Sequence, residues 1–79
     1  MDMEFKKLCS IIVDVLGVEE SEITPDSTFV DDLGADSLDV EQIIIGIEEE
    51  FDVTVDEDVA SNVRTVGQAL ELIKNAIDE

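Results

Sequence analysis

The sequence predicts an all-α fold, a small bundle of three longer helices and one short third helix with a long first loop. Three observations carry this expectation. Apolar residues recur at three- and four-residue spacing in three separate segments. Each of these segments opens beside a residue suited to cap a helix: Asp2, Asp36 and Thr65. The chain of 79 residues is 44% apolar, which favours a single packed domain over residues 1–79 against a disordered acidic tail.

The first helix is expected over residues 3–16. Phe5, Leu8, Ile12, Val15 and Leu16 fall on one side, with Ile11 at the edge, and Gly17 ends the run. A loop follows over residues 18–35, containing Pro25, two Ser/Thr-Asp clusters and Gly34. Val18, Ile23, Phe29, Val30 and Leu33 are expected to pin it to the core. So long a loop in a small domain is usually functional when ordered.

The second helix is expected from Ser37 to Phe51, with Asp36 as N-cap and Asp39 adding negative charge to the first turn. Val40, Ile43, Ile44, Ile47 and Phe51 make its inner stripe. These β-branched residues are mediocre helix formers, and the run 42–46 alone could pass for a buried strand. The cap and the length of the stripe decide for helix. A short third helix is expected over residues 56–62, burying Val55, Val59 and Val63. The fourth covers residues 66–77: Thr65 and Gln68 have the spacing of a capping box, and Val66, Ala69, Leu70, Ile73 and Ile77 face inward.

Charge narrows the partners. Twenty-two acids against four bases give a net charge of −18, with no Lys or Arg between Lys7 and Arg64. Nucleic acid and anionic membrane surfaces would be repelled, whereas a partner with a basic patch would be attracted. No stretch approaches the roughly 18 apolar residues of a membrane span. The start does not read as a signal peptide, so a cytoplasmic location and a monomer are expected.

Ser37 is the residue with the most distinctive setting. It opens a helix, where unpaired N–H groups and the positive end of the dipole suit a phosphate. The chain has no histidine, so no base is available to make this serine a catalytic nucleophile. A modification site fits better than an active site. Along the same helix, Leu38 and Ile45 point opposite to the inner stripe and share that side with Gln42 and Glu49, flanked by Glu41 and Glu48. Single exposed apolar residues are ordinary. Framed by acids, this pair also suits a docking surface on which charge steers a basic partner and Leu38 and Ile45 anchor it.

The run Phe29-Val30-Asp31-Asp32-Leu33-Gly34-Ala35-Asp36-Ser37-Leu38-Asp39 resembles the modification motif of acyl carrier proteins. The similarity continues through Glu48-Glu49-Glu50-Phe51-Asp52 and reaches Leu16-Gly17-Val18 and Arg64-Thr65-Val66. The resemblance implies an acyl-carrier-like four-helix bundle with 4′-phosphopantetheine joined to Ser37, carrying acyl groups as thioesters on its terminal thiol. It implies a non-catalytic protein whose partners are a phosphopantetheinyl transferase, recruited with its metal ion through Asp36, and acyl-chain synthases, reductases, dehydratases and acyltransferases. These would dock on the second helix at Leu38, Glu41, Gln42, Ile45, Glu48 and Glu49. Val40, Ile44, Ile47 and Val59 are candidates to line a cavity for the acyl chain, or equally to pack an ordinary core.

The second helix departs from the family's pattern. Typical fatty-acid carriers have glutamate where Gln42 stands, an outward valine at Glu41, methionine at Ile45 and alanine at Gly46. These changes lie on the surface that partners read. They leave open a fatty-acid carrier and a specialised carrier for a polyketide, aminoacyl or lipid A-type pathway. An unmodified acidic protein that mimics nucleic acid or fills basic clefts is an alternative of another class.

Other clusters are less informative. Cys9 is a lone cysteine at the edge of the first stripe and reads as a passive thiol, with no internal disulfide available. Asp52, Asp56 and Asp58 lack the glycine and glutamate that an EF-hand loop needs at its sixth and twelfth positions, so no metal site is expected.

Overall fold

The computed structural model describes residues 3–77. Its elements are α1 (Met3–Leu16), a 3₁₀ turn (Glu20–Glu22), α2 (Ser37–Phe51), α3 (Glu57–Ser61) and α4 (Val66–Ile77), with no strand among the described residues. The run 42–46 is helical, as its cap and stripe imply. Asp2, the expected cap of α1, lies outside the described residues.

The core forms where the inner stripes of the three longer helices meet. Leu8 and Ile12 of α1, Ile43 and Ile47 of α2, and Val66, Ala69 and Ile73 of α4 are each 1% exposed or less. Fully burying a side chain of this size contributes roughly 1.5–3 kcal/mol, so these stripes outweigh the modest helix propensity of the isoleucines. Cys9 belongs to the same cluster rather than its edge.

The first loop is ordered by backbone pairing. The Phe29 N–H donates to the Arg64 carbonyl at 3.0 Å, and the Val66 and Gly67 N–H groups donate to Ser27 and Pro25 carbonyls at 2.9 and 2.8 Å. The loop thus satisfies two of the amides that the start of α4 would leave unpaired. Thr65 and Gln68 complete that end reciprocally: the Gln68 N–H donates to Thr65 Oγ1, and Gln68 Oε1 accepts from the Thr65 N–H. Gly67 is required at this crossing, because a Cβ there would lie 2.9 Å from the Pro25 carbonyl oxygen.

Three expectations about burial are corrected. Val30 does not pin the loop. Residues 28–34 form a helical turn, with the Leu33 N–H donating to the Thr28 carbonyl, which sends Phe29 and Leu33 inward and leaves Val30 60% exposed. Val59 is 50% exposed, because Asp56 caps α3 so that the helix begins at Glu57 and turns Ala60 towards the core instead. Ile77 is 46% exposed, so the inward stripe of α4 ends at Ile73.

Candidate functional site

The site is built around the entry to α2. Phe29, Leu33 and Ala35 are buried and hold the end of the loop against the core. Gly34 turns the chain at φ 74°, a conformation that glycine adopts without steric cost. Asp36 then caps α2. Its Oδ1 accepts from the Asp39 N–H at 2.9 Å, and Asp39 Oδ2 accepts from the Asp36 N–H at 3.3 Å. Two aspartates make this capping box, so both place negative charge at the positive end of the helix.

Ser37, the first helical residue, is exposed. It opens on a groove of about 800 Å³ between α2, the site loop and the α3 segment. Its apolar lining comes from Val40, Ile44 and Ile45 of α2, from Phe29 and Val30 of the loop, and from Val55, Ala60 and Val63 in and around α3. Asp31, Glu41, Glu48, Glu57 and Arg64 supply its charged groups. An exposed hydroxyl at the mouth of a largely apolar groove fits a flexible arm bearing an apolar cargo.

The expected cavity residues divide. Val40 and Ile44 line the groove, whereas Ile47 is fully buried and Val59 faces solvent, both outside it. On the outer face, Leu38 is 70% and Ile45 39% exposed, and Glu41, Gln42 and Glu49 are exposed beside them. Glu48 is different: it is half-buried and its Oε2 accepts from the Val55 N–H at 2.9 Å. Arg64, Val55, Ala60 and Val63 are groove residues that sequence reasoning did not assign to the site. Their place depends on the pairing of the loop with the α3–α4 link, for which the sequence carries no local signal.

Cys9 is 2% exposed and does not line the groove. Burial pushes its thiol pKa up, and the negative charge of Glu20 adds to the effect. Among the described residues, no group of three or more acidic or thiol side chains converges as a metal site. No helix among them is long and apolar enough to cross a membrane.

A family model describing a phosphopantetheine attachment site matches residues 6–73, which include all of α2 and the whole groove. Such a domain receives 4′-phosphopantetheine in covalent linkage, acts as a carrier, and interacts with a phosphopantetheinyl transferase and with biosynthetic enzymes. The helical architecture agrees with this small carrier fold. With the match running across most of its length, the chain belongs to the phosphopantetheine attachment site family.

Proposed function

We propose that Ser37 is the attachment point and that the protein carries acyl groups as thioesters for the synthesis of fatty-acid or related acyl chains. The observation that carries this reading is the exposed Ser37 hydroxyl at the mouth of an apolar groove. Transfer from coenzyme A would form a bond from Ser37 Oγ to phosphorus and break the pyrophosphate bond, releasing adenosine 3′,5′-bisphosphate. The base that takes the hydroxyl proton would belong to the transferase. The bound arm supplies a thiol for thioester chemistry. The chain's own residues position that arm, shelter its cargo along Val40, Ile44, Val55 and Ala60, and present Leu38, Glu41, Gln42, Ile45 and Glu49 to basic partner surfaces. Asp36 beside the hydroxyl would help recruit the transferase and its metal ion. The apolar lining favours acyl cargo over polar aminoacyl groups.

The test is intact mass after incubation with coenzyme A and a broad-range phosphopantetheinyl transferase. The wild type is expected to gain one phosphopantetheine and Ser37→Ala none. Equal gain by both would remove Ser37 from the role, and no gain by either would leave an acidic interaction protein as the better reading.

A specialised carrier is favoured by the exposed departures Glu41, Gln42 and Ile45 on α2, whereas Gly46, expected on that same surface, packs against Ile11 of α1 instead. Gln42→Glu is expected to change turnover with enzymes of standard fatty-acid synthesis. Normal wild-type turnover that the variant leaves unaltered would return the protein to the general carriers.

A further inference from the structure

Arg64 is the exception among the charges of the groove. Asp31, Glu41, Glu48 and Glu57 line it as acids, and Arg64 is its single cation among the described residues. With 22 acids against four bases, a guanidinium has many carboxylates to choose from. Lys7 takes that course, pairing with Glu50 and lying over Phe51. The Arg64 side chain forms no ion pair and no hydrogen bond among the described residues.

The other polar side chains of the groove are committed. The Thr28 hydroxyl donates to Asp32 Oδ2, and the Ser61 hydroxyl donates to the Asp58 carbonyl. Glu48 Oε2 accepts from the Val55 N–H, beyond the left-handed turn that Asp52 makes at φ 54°. Ionised carboxylates donate nothing. Two donors are left, the Ser37 hydroxyl and the Arg64 guanidinium, and a group attached at Ser37 would consume the first. The root of the Arg64 side chain is also fixed. Its N–H donates to Gln68 Oε1 at 2.7 Å, and its carbonyl accepts from the Phe29 N–H at 3.0 Å. An uncommitted planar fork, suited to carboxylate or phosphate, is thus held at the groove.

We propose that Arg64 is the anion-binding residue of the groove, and that its guanidinium pairs with an oxyanion borne by the arm on Ser37. Two parts of a loaded arm carry that chemistry: the phosphodiester at its root and a carboxylate at the far end of a dicarboxylic acyl group. The inference rests on the reading of Ser37 as the attachment point. The acids nearby weaken the site for a free anion. A tethered anion overcomes this, because a short flexible link presents it at roughly millimolar effective concentration.

Hydrogen exchange of the Arg64 Nε–H tests the pairing in the unmodified protein, with the bare arm, and with the arm bearing pentanoyl or glutaryl, which differ in their terminal carboxylate. If the phosphodiester is the partner, the bare arm slows this exchange by about threefold or more, and Arg64→Gln moves the phosphorus resonance of the arm. If the carboxylate is the partner, glutaryl slows it and pentanoyl does not. Unslowed exchange in every form would overturn the proposal. So would equal slowing by pentanoyl and glutaryl alone, or slowing by the bare arm with an unmoved phosphorus resonance, since either marks exclusion of water rather than pairing. The backbone bonds of residue 64 survive substitution, and Arg64→Lys, with one ammonium in place of the fork, supplies the same phosphorus comparison if Arg64→Gln does not fold. Intact mass separates the two readings: no arm on Ser37 would end the carrier reading and this one together, whereas an arm on Ser37 beside unslowed Arg64 would overturn only this one.

Discussion

Ile11 of α1 occupies the space that a side chain at Gly46 of α2 would need: a Cβ there would lie 2.9 Å from Ile11 Cγ2. Glycine inside a helix costs about 1 kcal/mol relative to alanine. Here that cost is offset by the close approach of two helices whose stripes supply six of the thirteen buried core residues. Because α2 also carries Ser37 and one side of the groove, the Ile11–Gly46 contact helps to set where the site stands relative to the rest of the bundle.

Gly46→Ala is therefore expected to fail as a stabilising substitution. The propensity gain of about 1 kcal/mol meets an overpacking cost of about 1–3 kcal/mol. Cγ2 is fixed to a β-branched carbon and cannot swing aside freely. Urea unfolding should show Gly46→Ala at or below wild-type stability. In the background of Ile11→Ala the same substitution should cost less, with a coupling of at least about 0.5 kcal/mol. A Gly46→Ala protein more stable than wild type would show that α1 yields easily and that the contact sets nothing.

Asp36 combines a structural role with a proposed recruiting one, and two substitutions separate them. Asparagine caps a helix about as well as aspartate, whereas alanine loses about 1 kcal/mol. Asp36→Ala is thus expected to lower thermal stability and Asp36→Asn to leave it close to wild type. Both should slow phosphopantetheine attachment if the carboxylate helps to recruit the transferase and its metal ion. Attachment to Asp36→Asn at the wild-type rate would leave Asp36 as a cap only.

The helix ends were legible because both their signals are local. The Asp36–Asp39 and Thr65–Gln68 pairs sit within four residues of each other, and each inner stripe repeats within its own segment. Residues at the margin of a stripe were less legible. Val30, Val59 and Ile77 are as apolar as their buried neighbours, and their exposure depends on whether another element covers them. The site divides in the same way. Ser37, Val40 and Ile44 could be placed from α2 alone, whereas Ile45, expected on the outer face opposite to them, also lines the groove. Arg64 and Val63 reach the groove only because Phe29 pairs with Arg64 across half the chain, and the Glu48–Val55 bond depends on the left-handed turn at Asp52, a residue type that seldom adopts it.

Cys9 gives the pH dependence a definite sign. Its thiol pKa lies above the ordinary 9.0 in the folded protein, from burial first and the charge of Glu20 second. The unfolded chain therefore loses this proton at lower pH than the folded one. The contribution to stability is complete below pH 9.0 and is lost as pH rises through the folded value. Stability should fall on that alkaline side more steeply in wild type than in Cys9→Ala, where lysine titration is common to both proteins and cancels. Near pH ~8, iodoacetamide should alkylate Cys9 far more slowly in the native protein than in urea. Native alkylation as fast as in urea would mean that the first helix opens readily.

Self-repulsion should be concentrated at the end of α2. Glu48, Glu49 and Glu50 fall in its last turn, where the helix dipole is negative and no basic residue compensates. Lys7 reaches Glu50 at 3.6 Å, but that pair is about half exposed and screened by solvent. Glu49, exposed and without a hydrogen bond among those described, is the position at which charge can be removed with least loss of contact. Glu49→Gln is expected to stabilise the protein by about 0.3–1 kcal/mol at low ionic strength. The gain should shrink as salt rises from ~0.01 M to ~0.15 M, where the Debye length falls from about 30 to about 8 Å. Melting temperatures of both proteins across that range would check it. A gain that does not depend on salt would trace the effect to packing, and no gain at low salt would mean that solvent already neutralises this end of the helix.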